Sequence, residues 1–259
     1  MMFRFPHGLS TRGTHHGMTP NRPLAVVTDG SSGIGFELAR QLAARGFDLI
    51  VTAEDHDRLQ EAAARIRAEG AQVETAVADL RRFEEAERFY TATRVMSRPV
   101  AVAALNAGGG HGGAFLETDL LDELEIVDLN VRATVHLANR FLCDMVYEGE
   151  GRVLMASPPA PATPGPFQAV YDASRSFLRS FARALRAELR GTGVSVTALT
   201  PGPAGSTSVH RVGTDGVRLG RQGEDDPARM TEQCLDALFS DEDETAAGPA
   251  KAEAQQLVG

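Results

Sequence analysis

The sequence contains no tryptophan, only two cysteines and few aromatic side chains, which make up 6% of its 259 residues. Cys143 and Cys234 lie far apart in the chain, without the close spacing that metal sites and redox pairs share. We therefore expect no metal centre, and we interpret both cysteines as small buried side chains in a reducing compartment.

Positive charge and long hydrophobic runs are also scarce. The chain has 26 lysines and arginines against 35 aspartates and glutamates, a formal net charge of −9, which argues against general nucleic-acid binding. No apolar run approaches the roughly 20 residues of a membrane-spanning helix, and no signal-peptide core or lipidation signal is visible. We therefore expect a soluble cytoplasmic protein that binds neither nucleic acid nor membranes.

The chain does have an apolar content of 42%, enough for a sizeable core. Residues 1–22 are rich in proline, glycine and histidine without hydrophobic periodicity, and are predicted to be a disordered N-terminal arm. From residue 23 onward, strand-like apolar runs alternate with helical patterns, which predicts a parallel sheet. We expect residues 23–259 to form a single α/β domain, a doubly wound Rossmann-type fold with helices on both faces of the sheet.

The predicted elements are spaced as successive strand–helix–strand units. Strands are predicted at 24–27, 48–52, 72–77, 100–106, 151–156 and 194–200, and helices at 33–45, 57–69, 82–95, 120–147 and 167–190, with glycines 46, 70 and 191 as C-caps. A substrate loop is expected at 203–225, followed by a short amphipathic helix to about Phe239. The charge run 241–244 is interpreted as a solvated turn, and residues 246–259 give a weak strand signal.

The most informative segment is the glycine-rich turn at residues 28–35, Thr-Asp-Gly-Ser-Ser-Gly-Ile-Gly. It follows the first apolar run and precedes a helix-like stretch that Gly46 closes. A strand, a glycine-rich turn and a helix in this order can hold a nucleotide, because glycines let the backbone approach a pyrophosphate and N–H groups at the helix start bind its charge. Such turns also occur as plain tight turns, so the segment alone leaves both interpretations open.

Five later motifs follow in order along the chain. They are Asp79-Leu80 after the third strand, Asn106-Ala107-Gly108 at the end of the fourth, Asn130-Val131 in the long helix, Tyr171 with Arg175 four residues on, and Pro201-Gly202-Pro203 after the sixth strand. Together with the glycine-rich turn, this ordered set resembles the classical short-chain dehydrogenase/reductase family over roughly residues 22–240.

The resemblance implies a dinucleotide at the carboxyl ends of the strands. The cofactor-binding residues would be Asp29, Gly30, Ser31, Ser32, Gly33, Ile34 and Gly35 in the turn, with the last five along the pyrophosphate. Asp79 and Leu80 would flank the adenine, and Asn106, Ala107 and Gly108 would pass beneath the adenosine ribose. Pro201 and Gly202 would meet the nicotinamide, with Ser206 or Thr207 near its amide.

The choice of dinucleotide depends on the residues after the second strand, Glu54 and Asp55. Relatives that use NADP tend to place an arginine at the position of Glu54 or a basic residue at that of Ser32. A 2′-phosphate would meet two carboxylates with no cation to offset them, whereas a ribose hydroxyl can donate to a carboxylate. We therefore expect NAD(H) to be favoured over NADP(H). The alternative is that both acids are a solvated lead-in to the helix, and that Arg58 reaches back to a phosphate.

The resemblance also implies an oxidoreductase that transfers a hydride between the nicotinamide and a ketone or secondary alcohol. Tyr171 would be the acid/base, Arg175 its basic partner on the same helix face, and Asn130 the support of a water relay. Ser157 would hold the substrate oxygen if the proline-rich loop after it shifts the register by one residue.

Three positions depart from the family pattern. Asp29 stands at the first glycine of the turn, Pro158 at the catalytic serine in an ungapped alignment, and Arg175 at the lysine. Aspartate tolerates left-handed backbone geometry, but its charge would lie close to the phosphates. Proline has no hydroxyl, and arginine does not pass a proton on. These departures leave an alternative open, a catalytically weak dinucleotide-binding relative that acts as a sensor or scaffold; a non-redox reaction in the same pocket is a third.

The remaining expectations concern substrate and assembly. The glycine-rich stretch 109–115 and the loop 203–225 would line the pocket mouth, with Phe115 and Phe167 as apolar walls and His111 as a solvated loop histidine. The resemblance implies a homodimer or homotetramer that pairs through the two long helices.

Overall fold

The computed structural model describes residues 22–156, 167–200, 227–240 and 244–246. Within them, one seven-stranded parallel sheet has the order β3-β2-β1-β4-β5-β6-β7. Its strands are β1 Leu24–Thr28, β2 Asp48–Ala53, β3 Val73–Val77, β4 Val100–Leu105, β5 Gly151–Ala156, β6 Val194–Thr200 and β7 Glu244–Ala246. The predicted doubly wound α/β fold and its first six strands are confirmed.

The helices follow the predicted pattern with one interruption. They are α1 Gly33–Ala44, α2 His56–Ala68, α3 Phe83–Val95, α4 Leu120–Val127, α5 Thr134–Glu148, α6 Ala169–Glu188 and α7 Pro227–Phe239. The long helix predicted at 120–147 is divided into α4 and α5 by a π-helical segment, Asp128–Ala133. Such segments are rare and often occur at functional positions. Gly46, Gly70 and Gly191 end their helices with positive φ of 94°, 93° and 80°, as predicted.

The core has two halves because alternate residues of each strand point to opposite faces of the sheet. Ala25 and Val27 of β1 pack with α1, α2 and α7, whereas Leu24 and Val26 pack with α3, α5 and α6. Both faces are therefore covered, which explains why the central strands β1 and β4 are nearly continuous apolar runs. Among the described residues, no helix is long and apolar enough to span a membrane.

The structure corrects two predictions, one about the burial of Cys143 and one about the charge run at 241–244. Cys143 is exposed on α5, because it lies about 200° around the helix from the buried Phe141. Cys234 is buried in α7 as predicted, and burial raises the pKa of its thiol to about 12. The charge run at 241–244 is not wholly a turn, since β7 begins at Glu244 and pairs with β6.

The strand order reverses at β1, which lies between β2 and β4. The crossover helices on either side of that point lie on opposite faces of the sheet, so a crevice opens at the carboxyl ends of β1 and β4. The turns that follow β1, β2, β3 and β4 all reach this edge, and they carry most of the residues singled out in the sequence.

Candidate functional site

A cavity of about 650 Å³ lies at this edge of the sheet. It is lined by Asp29, Ser31, Ser32, Ala53, Glu54, Asp55, Arg58, Ala78, Leu80, Arg81, Ala107, Gly108, Gly109, Gly110, His111, Asp122, Glu125, Ile126 and Leu129. Its volume is typical of sites for small molecules and cofactors. It runs from the glycine-rich turn, past the ends of β2 and β3, to the loop after β4 and the helix α4.

The glycine-rich turn needs its glycines for close packing. A Cβ on Gly30 would overlap Val51, and one on Gly35 would overlap the carbonyl oxygen of Asp29 and lie 2.8 Å from the Asn106 amide nitrogen. Asp29 takes the left-handed conformation expected of it, with φ of 52°, and Gly33 has φ of 55°. The turn is therefore built on one non-glycine residue in a conformation that aspartate tolerates.

Helix α1 presents its N-terminus to the cavity. Ser32 is the N-cap residue, its side chain makes no capping hydrogen bond, and the first turn of α1 contains no acidic residue. The N–H groups of the first turn and the positive end of the helix dipole can therefore receive an anion. Ser31 and Ser32 line the cavity here, while Ile34 packs against the core.

A buried hydroxyl ties the turn to the end of β4. Thr28 Oγ1 accepts hydrogen bonds of 2.8 Å from the backbone N–H groups of both Asn106 and Ala107. This bond pair fixes the loop that begins with Asn106, Ala107 and Gly108 against β1. The structure thus brings the glycine-rich turn and this predicted motif together at the floor of the cavity.

Arg81 occupies the far end of the cavity, after Asp79 and Leu80. Its guanidinium donates from Nε to Asp79 at 2.7 Å, from Nη2 to Glu54 at 2.9 Å and from Nη1 to Glu125 on α4 at 3.0 Å. The expectation that no cation lies near Glu54 is therefore wrong. Sequence separations of 27 residues to Glu54 and 44 to Glu125 hid this pairing, which only the alignment of strand ends creates.

The same network sets the charge state at this end. Partial burial opposes ionisation of Asp79, but the hydrogen bonds from Arg81 outweigh it and hold the pKa of that carboxyl below its ordinary value. The hydrogen bond to Asp79 likewise raises the pKa of Arg81. Asp55 caps α2 by accepting from the Arg58 backbone N–H at 3.1 Å, and the Arg58 side chain lies 3.5 Å from it. Arg58 thus lines the cavity already paired.

Asn130 lies in the π-helical segment and is fully buried. Its amide exchanges two hydrogen bonds of 2.9 Å with the backbone of Gly109, and it donates to Ser174 Oγ at 2.9 Å. Ser174 Oγ in turn donates to the Tyr171 carbonyl at 2.7 Å. Asn130 therefore connects the loop after β4 with α6, and Ser174 is a partner that the sequence analysis missed.

Tyr171 and Arg175 lie one turn apart on α6. The Arg175 guanidinium is 4.9 Å from the centre of the Tyr171 ring, and Arg175 is only 5% exposed. A Cβ on Gly108 would lie 2.6 Å from Arg175 Nη2, and one on Gly110 would lie 2.8 Å from Tyr171 Cγ. Gly108 and Gly110 therefore lie directly against these two side chains, which accounts for glycine at these alternate positions of the loop after β4.

His111 points the other way, towards α4. Its side chain is 15% exposed, and Nε2 lies 3.5 Å from the carboxylate of Glu123, which accepts from Thr118 Oγ1 at 2.7 Å. The expectation of a solvated loop histidine is wrong. Among the described residues Nε2 has no hydrogen-bond partner, and His111 lines the cavity. Phe115 and Phe167, predicted as pocket walls, are 55% and 62% exposed.

Several predicted site residues lie outside the described part of the chain. They are Ser157, Pro158, Pro201, Gly202, Ser206 and Thr207, together with the loop 203–225. Among the residues that are described, no group of three or more histidines, cysteines, aspartates or glutamates is placed to hold a metal ion.

Most of the chain matches one family of known proteins. The model of the short chain dehydrogenase family matches residues 23–215. The chain belongs to the short-chain dehydrogenase/reductase family. It is 31% identical over 180 residues to an uncharacterised oxidoreductase of Staphylococcus saprophyticus, covering 69% of this chain and 77% of that one.

Solved structures of the family match nearly the whole chain. A short-chain dehydrogenase from Sphingobium yanoikuyae in complex with NADPH has a TM-score of 0.80 and 26% identity, over 91% of this chain and 93% of that one. A short-chain dehydrogenase/reductase from Burkholderia phymatum in complex with NAD has a TM-score of 0.81 and 22% identity, over 92% of both chains, and supports the fold. Short-chain dehydrogenase/reductase neighbours thus bind either dinucleotide, and the protein is an oxidoreductase of this family.

Proposed function

We propose that this short-chain dehydrogenase/reductase transfers a hydride between a nicotinamide dinucleotide and a ketone or secondary alcohol, with Tyr171 as the acid/base. The observation that carries the proposal is the loop after β4. Its Gly108 and Gly110 lie against Arg175 and Tyr171, and the same glycines line the cavity that begins at the glycine-rich turn. A tyrosine, its basic partner and a nucleotide-sized cavity are thereby joined by one segment.

The described residues fit a dinucleotide at three points. The uncapped N-terminus of α1 suits a pyrophosphate, Leu80 and Ala78 give an apolar wall for a base, and Glu54 can accept from ribose hydroxyls. By likeness to the family, Pro201 and Gly202 would meet the nicotinamide. Asp29 fits least well, because its carboxylate lies in the turn that would approach the phosphates.

The bound nicotinamide would supply or accept the hydride. Tyr171 would give its hydroxyl proton to a ketone oxygen, or take a proton from an alcohol, as the carbon changes oxidation state. Arg175 would keep a positive charge beside the tyrosine and bind ribose hydroxyls, but a guanidinium does not release a proton in a protein. Asn130 would hold the loop and α6 in register, and Ser157 would orient the substrate oxygen.

We further propose that NAD(H) is favoured over NADP(H). Arg81 supplies a cation beside Glu54, yet it is shared with Asp79 and Glu125, and with Arg82 beside Asp79 the cluster still has three carboxylates for two arginines. A 2′-phosphate would therefore add negative charge where negative charge is already in excess.

A second candidate is a catalytically weak relative that binds a dinucleotide as a sensor or scaffold. The observation that favours it is the position of Arg175, which stands where the family has a lysine and is buried with its guanidinium close to Gly108 and 4.9 Å from the centre of the Tyr171 ring. Under this alternative, Arg175→Lys combined with Pro158→Ser should raise turnover of a carbonyl substrate. Under the main proposal, the wild type already reaches ordinary rates.

We also propose that the protein forms a homodimer or homotetramer through its long helices. Phe177 on α6 is 40% exposed and stacks at 5.6 Å on Phe181, which itself packs against the core. Light scattering after size exclusion tests this, since a monomer at micromolar concentration would contradict it.

The first experiment is a fluorescence titration with NADH and NADPH, followed by turnover assays over ketones and alcohols. We expect binding of at least NADH, and loss of turnover in Tyr171→Phe by about 10²–10⁴-fold with binding retained. Unchanged turnover in Tyr171→Phe would exclude the assigned mechanism. Failure of the wild type to bind either dinucleotide would exclude the oxidoreductase proposal.

A further inference from the structure

Arg81 is the one described cation that contacts three carboxylates at once at the cavity, and the proposed mechanism leaves it unused. Its partners come from three places: Glu54 at the end of β2, Asp79 at the end of β3 and Glu125 on α4. The guanidinium therefore spans the end of the cavity from the sheet to a helix. Glu54, Arg81 and Glu125 all line that cavity.

The donors of Arg81 are only partly used. A guanidinium has five N–H groups, and among the described residues Nε, Nη1 and Nη2 make one side-chain hydrogen bond each. One N–H on each terminal nitrogen thus remains for another acceptor. The side chain is 31% exposed, so a ligand in the cavity can reach it without displacing Asp79.

The position of Arg81 is fixed by its backbone and by Asp79. The Arg81 N–H donates to Asp79 Oδ1 at 3.0 Å, which is the atom that also accepts from Nε at 2.7 Å. The Arg81 carbonyl accepts from Arg132 in the π-helical segment. The inner part of the side chain is thus anchored, while the Nη1 and Nη2 contacts with Glu125 and Glu54 are exposed ion pairs that exchange easily.

We propose that Arg81 sets the dinucleotide selectivity of this protein. Beside the Glu54 carboxylate, it offers its remaining N–H groups to a 2′-phosphate. NADP(H) can therefore bind even though the Glu54 carboxylate, at the end of β2, would repel its 2′-phosphate. The preference for NAD(H) stays moderate as a result. This inference rests on the proposed binding of a dinucleotide, and it names the residue that tunes that binding.

Glu125 acts against this role. It lies on α4 across the cavity and holds Nη1 of Arg81 at 3.0 Å. A 2′-phosphate has to compete with it for the guanidinium. Removing the Glu125 charge should therefore help NADP(H) and leave NAD(H) unaffected, an effect opposite in sign to that of removing Arg81.

The test measures the dissociation constants of NADH and NADPH by fluorescence titration at one fixed ionic strength. Arg81→Gln should weaken NADPH by about ten- to hundredfold, the range expected for losing hydrogen bonds to a charged group, and change NADH by less than about threefold. Glu125→Gln should strengthen NADPH several-fold. Arg82→Gln is the matched control, because Arg82 is the neighbouring arginine, 70% exposed and 3.4 Å from the same Asp79, and it should leave the ratio of the two constants unchanged.

The possible results distinguish the role of Arg81 in selectivity from the dinucleotide binding on which that role depends. If Arg81→Gln weakens both dinucleotides equally, or if Arg82→Gln shifts the ratio as much, Arg81 is a structural residue and the inference is wrong while dinucleotide binding stands. If Arg81→Gln does not fold, Glu125→Gln decides alone, and an unchanged NADPH constant overturns the inference. If the wild type binds neither dinucleotide, the proposed function and the inference are both overturned.

Discussion

The two edges of the sheet carry opposite arrangements of the same kinds of side chain. At the amino edge, the buried carboxylate of Asp48 lies between two arginines, with Arg98 Nη1 and Nη2 at 3.1 Å and Arg22 Nε at 3.7 Å. At the carboxyl edge, the guanidinium of Arg81 contacts three carboxylates, and one of them, Asp79, also lies 3.4 Å from Arg82. The amino edge has two arginines for one acid, and the carboxyl edge has three acids for two arginines.

The difference lies in what the surplus groups do. Arg22, beyond its contact with Asp48, donates to the carbonyls of Gly46 and Gly70 at 3.0 and 2.8 Å, so both helix ends are closed by the protein itself. At the carboxyl edge, Arg81 retains N–H groups for another acceptor, and α1 begins without a side-chain cap. The amino edge is complete within the chain, whereas the carboxyl edge keeps hydrogen-bond donors that the proposed dinucleotide would use.

The largest effect is expected from breaking the amino edge. Asp48→Ala leaves Arg98, whose side chain is 17% exposed, without its carboxylate, and should lower the free energy of unfolding by about 3–5 kcal/mol. Equilibrium urea denaturation measures this, with Asp236→Ala as control because that exposed pair with Arg45 should contribute little. A loss below about 1 kcal/mol in Asp48→Ala would show that the amino edge is not the structural one.

The next effect is expected at the carboxyl edge, on activity. Gly110→Ala pushes a methyl group into the Tyr171 ring and should lower turnover by about 10²-fold, since a small displacement of a reacting group is costly. Gly109→Ala is the matched control, because its Cβ would lie an ordinary 3.8 Å from Leu129. Equal turnover in the two variants would contradict the close packing of Tyr171 on this loop.

A smaller effect on stability is expected where the carboxyl edge is charged. Glu54→Gln removes one exposed partner of Arg81, and should change the free energy of unfolding by less than about 1 kcal/mol. The same change should weaken NADH by several-fold, because a carboxylate accepts more strongly from ribose hydroxyls than an amide does. Urea denaturation and NADH titration on one preparation measure the two effects. A large loss of stability without a change in NADH binding would show that Glu54 has a structural role and not a ligand-binding one.

The smallest effect concerns pH. The folded-state pKa of Asp79 is lowered, so its stabilising contribution is fully present above the ordinary aspartate pKa of about 4 and is lost as pH falls through the folded value. Asp79→Asn should therefore lose stability less steeply than the wild type below about pH 4. Asp57→Asn is the control, because that side chain is 98% exposed, and its stability in thermal unfolding should fall with pH as steeply as that of the wild type. An equally steep fall in Asp79→Asn would contradict the prediction.

The fold could be predicted from the sequence because its signals are local. Apolar runs, helix periodicity and the glycines at 46, 70 and 191 each depend on neighbouring residues. The π-helical segment could not be predicted in this way, since its sequence continues the helical pattern on both sides. The segment contains Asn130, whose amide donates to the Gly109 carbonyl in the loop after β4 and to Ser174 on α6, contacts between residues distant in sequence.

The candidate site was predictable where a motif is contiguous and not where a contact is long-range. The glycine-rich turn and the Tyr171–Arg175 spacing were visible in the sequence. The pairing of Arg81 with Glu54 was not, although a basic residue directly after Asp79-Leu80, at the same sheet edge, is a signal that can be sought. His111 was misinterpreted because a glycine-rich loop suggests solvent exposure, whereas its side chain is only 15% exposed and lies beside Glu123 of α4.

Closely packed and open positions alternate along the loop after β4, and this has a consequence for engineering. A Cβ on Gly110 would overlap the Tyr171 ring, one on Gly108 would displace the Arg175 guanidinium, and one on Gly112 would lie 3.3 Å from the Phe167 carbonyl oxygen. A Cβ on Gly109 would meet only Leu129, at 3.8 Å, and the His111 side chain lies beside Glu123 of α4. A mutant library for new substrates should therefore vary the two odd positions and keep the even ones fixed, which reduces the search along this loop to a pair of sites.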